Sequence, residues 1–147
     1  MFFWLLVFLI IFLDWGSKYW VMKELSLGQT IPVIKSFFHI TYLQNSGAAF
    51  GLLPGQKWFF ICTAFLALAV IIYLQFTLGV KQRFLSLTLA LLTGGISGNL
   101  IDRFYRGVVI DFLDFRGLWP YVFNLADVAI VCGMLFLVWQ ILFLEKE

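Results

Sequence analysis

Five aspartates stand out in a chain with few charges: Asp14, Asp102, Asp111, Asp114 and Asp127. Three asparagines, Asn45, Asn99 and Asn124, fall in the same parts of the sequence. The rest of the inventory narrows the chemistry. Cys62 and Cys132 sit inside apolar runs without metal or redox spacing, so both read as buried small hydrophobes. The single histidine, His39, has no Cys, His or Glu companions for a zinc site, and no serine is paired with it. A pair of carboxylates remains. Two close aspartates cannot both hold a charge, so they share one proton. The charged member takes a proton from water, and the neutral member gives one to a carbonyl oxygen or leaving amine. Amide hydrolysis by that route needs no metal, and the sequence contains no cofactor motif.

The elements that must position these groups are membrane helices. The chain of 147 residues is 63% hydrophobic and 12% charged, with a mean hydropathy of +0.98. Soluble domains are about 45–50% apolar and about 25% charged. Four stretches, 2–22, 58–79, 84–103 and 125–144, meet the length rule for a bilayer helix. They are expected to form a single membrane-embedded domain. The first is not a secretory leader, because it lacks a basic start and Asp14 interrupts its apolar core. A net charge of +2 with no basic run argues against a nucleic-acid partner.

Four spans place both termini on one side of the membrane. The short link "GVKQRF" (79–84), with Lys81 and Arg83, and the terminal Lys146 lie on that side. The longer segments 23–57 and 104–124 lie opposite and carry Lys23, Lys35, Lys57, Arg106 and Arg116. A plain Lys/Arg count therefore leans against cytoplasmic termini. "FFHITYLQ" (37–44) alternates, with Phe38, Ile40 and Tyr42 on one face and His39 and Thr41 on the other. "NSGAAFGLLPG" (45–55) follows as a candidate second strand ending in a Pro-Gly turn. The expected fold is four transmembrane helices, a small β-sheet at the membrane surface over about 30–53, and a loop or short helix between the third and fourth spans.

Each acid has a structural reading. Asp14 precedes Lys18 by one helical turn and can pair with it. Asp102 can pair with Lys18, Arg103 or Arg106. Asn124 and Asp127 have N-cap and N3 spacing. Asp114 reads as a solvated loop charge. As a set, however, the acids gather toward the side of the long segments. An aspartate at mid-bilayer costs about 2.5–3.5 kcal/mol on insertion scales, and ionisable groups inside membranes are functional by default. Gly94 and Gly98 stand four apart, so helices can approach closely there and press Asn99 and Asp102 against a neighbour. A proton relay or small transporter built on Asp14, Asp102 and Asp127 is the alternative function. It needs carboxylates through the whole bilayer depth. A non-catalytic assembly or lipid-binding protein, its acids only capping and pairing, is the third reading.

Five blocks decide among these. "DWGSK" (14–18), "NSGAAFG" (45–51), "GGISGNLIDR" (94–103), "GVVIDF" (107–112) and "FNLAD" (123–127) resemble, in order, the signature blocks of lipoprotein signal peptidase, or signal peptidase II. Trp15 and Gly16 fall where the first block varies, and Asp114 offers a second acid beside Asp111. The resemblance implies a bacterial plasma-membrane aspartyl endopeptidase with both termini cytoplasmic and a β-cradle on the outer face. Its substrate would be a prolipoprotein, cut just before a cysteine carrying diacylglycerol. A globomycin-type cyclic peptide would inhibit it. The blocks assign catalysis to Asp111 and Asp127. They give substrate-binding or supporting roles to Asp14, Lys18, Asn45, Gly47, Asn99, Asp102, Arg103 and Asn124. Asp127, at a helix N-terminus, is then the candidate charged member and Asp111 the candidate acid. Membrane lipid is the other implied partner, its chains or those of the substrate lying along spans two and three, and a monomer suffices.

Overall fold

An apolar helix in lipid needs no buried face of its own, and three of the four long helices here have little of one. The computed structural model describes residues 1–47, 53–79 and 82–143. Its helices are α1 (Phe2–Glu24), α2 (Lys57–Leu74), α3 (Arg83–Arg106) and α4 (Leu125–Phe143). A π-helical turn, Gln75–Gly79, extends α2. All four spans are long and apolar enough to cross a membrane. About a fifth of α1, α2 and α4 is buried within the protein, against 61% of α3. The same imbalance corrects the reading of the cysteines. Cys62 is exposed and Cys132 half-buried, both as free thiols, because an apolar run in a membrane span can face lipid as readily as core.

α3 is the central post because its glycines admit its neighbours. A Cβ on Gly94 would stand 2.8 Å from Cβ of Ile10 in α1. One on Gly98 would meet Asp14 Oδ2 at 2.6 Å, and one on Gly95 would stand 2.5 Å from the Ala126 carbonyl oxygen at the start of α4. Little more than one turn of α3 thus brings α1 and α4 against it on adjacent faces. In lipid, where no hydrophobic force drives helices together, such close contact supplies the association.

On the side where α1 and α3 end, the chain forms an antiparallel sheet of order β1-β2-β3, with β1 Thr30–Ile34, β2 Phe38–Asn45 and β3 Val109–Phe115. The third strand corrects the expectation of a loop or short helix between α3 and α4. Gly107, at φ 79°, ends α3 in the left-handed region and reverses the chain. The β-branched run that follows then pairs with β2. The second strand expected within 45–55 falls largely on residues 48–52, outside the described residues. Ser46, Gly47 and residues 53–56 are not in a strand.

The pairing of β2 with β3 is irregular at one place. Ile40 pairs with Leu113 and Leu43 with Asp111, so Thr41 and Tyr42 together oppose Phe112. This bulge breaks the simple alternation expected for 37–44. Ahead of it, Phe38 lies on the face of Phe115, and beyond it Leu43 and Asn45 join that same face. Tyr42 instead enters a core with Ile110, Phe112 and, from α1, Val21 and Leu25.

Gly95→Ala is expected to cost about 1–3 kcal/mol, since its new methyl meets backbone that cannot yield. Gly16→Ala meets open space and is expected to be neutral or slightly stabilising. Thermal unfolding in detergent separates the two.

Candidate active site

Asp111 occupies the middle of β3, on the face that Leu43 and Asn45 share. Asp127 lies in the first turn of α4. What joins them is Asn124, fully buried just ahead of that helix. Its side-chain oxygen accepts the Asp127 N–H at 2.9 Å, while Asp127 Oδ2 accepts the Asn124 backbone N–H at 3.2 Å. This reciprocal cap is the arrangement the Asn124–Asp127 spacing suggested. The Asn124 Nδ2 then donates to Asp111 Oδ1 at 2.7 Å. One buried side chain therefore bonds the Asp111 carboxyl and the Asp127 backbone.

The remaining carboxylate oxygens are also met. Asn45 Nδ2 donates to Asp111 Oδ2 at 3.1 Å, and Asn99 Nδ2 to Asp127 Oδ1 at 2.7 Å. Each oxygen of both aspartates thus accepts one N–H, leaving further lone-pair capacity for water or a shared proton. Burial, and then the negative charge of Asp127, push the Asp111 carboxyl up to about 7. Asp111 is accordingly held largely protonated below neutral pH.

Behind this pair lies a layer of buried charge. Lys18 Nζ stands 2.7 Å from Asp14 Oδ2, 2.9 Å from Asp102 Oδ2 and 3.1 Å from Asn99 Oδ1. Arg106 pairs with the other oxygen of Asp102. Two anions and two cations balance, as burial in low dielectric requires. Asp14 Oδ1 also accepts the Ala126 N–H at 2.9 Å, so an acid of α1 helps cap α4. Asp114 is not the solvated loop charge expected of it. Three residues beyond Asp111 on a strand, it turns to the opposite face, where Thr41 and Arg116 donate to its Oδ2.

The two aspartates border a cavity of about 1310 Å³. Asn45, Gly47, Asn99 and Arg103 form its polar end with them. Arg103 lies over the Phe60 ring, 5.0 Å from its centre, and donates to the Gly47 carbonyl at 3.0 Å. The rest is apolar. Phe60, Ala64 and Ala67 of α2, Ile96 of α3 and Val128, Val131 and Cys132 of α4 line one part. Phe115, Trp119, Tyr121 and Phe123 line another. All ten site residues read from the sequence thus gather at one end of the bundle. Six border the cavity, while Asp14, Lys18, Asp102 and Asn124 stand behind it. The apolar lining went unread, because in a membrane chain cavity-facing and lipid-facing side chains are of the same types.

Comparison with known proteins agrees with this geometry. A family model described as signal peptidase (SPase) II matches residues 6–143. The chain belongs to the signal peptidase II family. It is a peptidase and a multi-pass membrane protein. A lipoprotein signal peptidase of Clostridioides difficile (strain 630) is 46% identical over 143 residues, covering 97% of this chain and 96% of the relative. One from Desulfitobacterium hafniense (strain DSM 10664 / DCB-2) is 46% identical over 131 residues, 89% of this chain and 86% of that protein. A bacterial membrane enzyme solved by the in meso method at 2.3 Å superposes with a TM-score of 0.93 at 28% identity, covering 98% of this chain and 89% of the other.

Within this signal peptidase II framework, Asn124 makes two separable contacts, the cap on α4 and the bond to Asp111. Asn124→Ala should cost about 1 kcal/mol of stability through the lost cap, and about 10-fold in turnover through the lost bond that orients the Asp111 carboxyl. Asn124→Ser should restore the stability and leave turnover low. Unfolding midpoints and peptide cleavage rates, measured on the same preparations, check this.

Proposed function

We propose that this member of the signal peptidase II family removes the signal peptide from prolipoproteins whose cysteine already carries diacylglycerol, cutting just before that cysteine. The observation that carries the reading is the Asn124 amide held by both Asp111 and Asp127 at the polar end of a largely apolar cavity. In the mechanism, Asp127, favoured as an anion by the α4 N-terminus, takes a proton from water. The water oxygen bonds to the scissile carbonyl carbon while Asp111 gives its proton to the carbonyl oxygen. In the second step the amine nitrogen takes a proton from Asp127, the C–N bond breaks, and Asp111 recovers its proton from the collapsing diol. The pair titrates as a unit through both steps. No metal or cofactor enters the scheme.

The apolar lining from α2, α3 and α4 supports a substrate that brings acyl chains, and adds α4 to the helices expected to meet them. Membrane lipid would fill the same lining between turnovers. A globomycin-type cyclic peptide would compete at the polar end. One chain supplies both acids, so the reaction needs only a monomer. The reading puts the enzyme in the bacterial plasma membrane, with both termini cytoplasmic and the site at the outer leaflet. The Lys/Arg count pulls the other way, but the outer segments are long and structured, and such segments weigh less in that rule.

Purified protein should cleave a diacylglyceryl prolipoprotein, be blocked by globomycin, and leave the unlipidated precursor intact. Asp111→Asn and Asp127→Asn should each lower turnover by roughly 10³-fold or more. Either variant retaining full cleavage removes the catalytic assignment. Turnover should also fall as pH rises through about 7, because Asp111 then loses the proton it must give. A reporter fused to the C-terminus should be active only in the cytoplasm.

A further inference from the structure

Lys18 stands where the proposed chemistry does not call for it. It is 1% exposed, does not border the cavity, and directs its ammonium to Asp14, Asp102 and the Asn99 side-chain oxygen. An ammonium has three protons, and these are three acceptors. The contact with Asn99 has the consequence. A side-chain amide can present either end to a neighbour. With its oxygen accepting from Lys18 at 3.1 Å, and also from Asn124 Nδ2 at 3.2 Å, Asn99 turns its own N–H toward Asp127, which it meets at 2.7 Å. The reverse orientation would set an NH2 against an ammonium and a carbonyl against a carboxylate.

The other two amides are held in the same way by weaker donors. The Asn45 oxygen accepts the Gly47 backbone N–H, and the Asn124 oxygen the Asp127 backbone N–H. Both of those amides aim their Nδ2 at Asp111. Among the contacts of the described residues, it is Asn99 that meets a full positive charge and aims its Nδ2 at Asp127. A donor polarised by a cation makes the stronger bond to an anion. The two acids are therefore held unequally, through an element that neither of them belongs to.

We propose that Lys18 is a positioning residue for the reaction: by holding the Asn99 carbonyl it locks that amide onto Asp127 and keeps the negative charge of the pair there. The inference rests on the reading of Asp111 and Asp127 as the catalytic pair. The charged groups that act with Asp127 are Lys18 from α1, Arg103 from α3 and Asp111 from β3, with Asp14, Asp102 and Arg106 paired around Lys18. Asp14 is neutralised by Lys18, and Asp102 by Lys18 and Arg106. Arg103 is occupied with the Gly47 carbonyl.

The test is the pH profile of kcat and kcat/KM on a lipidated precursor peptide. The Asp14→Asn, Lys18→Met double variant removes one buried anion with the cation, leaves Asp102 to Arg106, and so leaves no unpaired charge behind. Its kcat should fall about tenfold or more, with KM within about twofold. The acid limb should move up by about one pH unit, because the base no longer ionises as easily. Asn99→Ala should move the same limb, and combining it with the double variant should add little. A folded double variant with an unmoved acid limb overturns the proposal, as does strict additivity with Asn99→Ala. If the double variant fails to fold, Lys18→Arg takes its place, keeping the charge but moving the donor off the Asn99 oxygen: an acid limb that moves up as in Asn99→Ala upholds the proposal, and an unmoved limb refutes it. Full activity in Asp111→Asn or Asp127→Asn would instead sink the catalytic pair, a separate result.

Discussion

A carboxylate at the edge of a bilayer must be met by donors or it will not stay ionised, and most of this structure answers that demand. Four oxygens of two aspartates each receive one N–H, from three asparagine side chains and one backbone amide. Supplying those donors takes β2, α3 and the start of α4, brought to one point. Uncharged amides suit the task. They stabilise the anion without neutralising it, so a proton can still move between the acids.

Convergence at that point depends on how closely α1 and α4 approach α3. Gly94, Gly95 and Gly98 remove the side chains that would hold them off, and the polar contacts then bridge what packing has brought near. Gly98 and Asp14 illustrate the coupling. A methyl at Gly98 would occupy the space of the carboxylate that caps α4 and neutralises Lys18. Packing and electrostatics are in this sense one device, with α3 as the shared wall.

Features written in local spacing could be read from the sequence. The Asp14–Lys18 pair and the Asn124–Asp127 cap are one helical turn each, and both stand as expected. Spans and glycine spacing were legible for the same reason, and the five blocks carried the family. Distant pairings were not. Asp14 accepts from Ala126 across 112 residues, and no period in the sequence announces that bond. β3 was taken for a loop because its partner is 66 residues away and its own run is short. The face of Asn45 was hidden too, since the alternation before it runs through a bulge.

That bulge sets a rule for chain length. Thr41 and Tyr42 occupy the place of one residue, and beyond them Leu43 and Asn45 lie on the side where Asp111 waits. Delete either residue and the ladder becomes regular, with Asn45 still opposite Val109; insert one between Leu43 and Gln44, and Gln44 takes that place, one carbon longer. Removing or adding a pair between the bulge and Asn45 would spare parity but slide the amide along β3. The hairpin is thus free to vary at its far end, around Ser36, and counted to the residue at its near end. A homologous chain with one residue more between Leu43 and Asn45 must therefore recover the missing donor from another strand position.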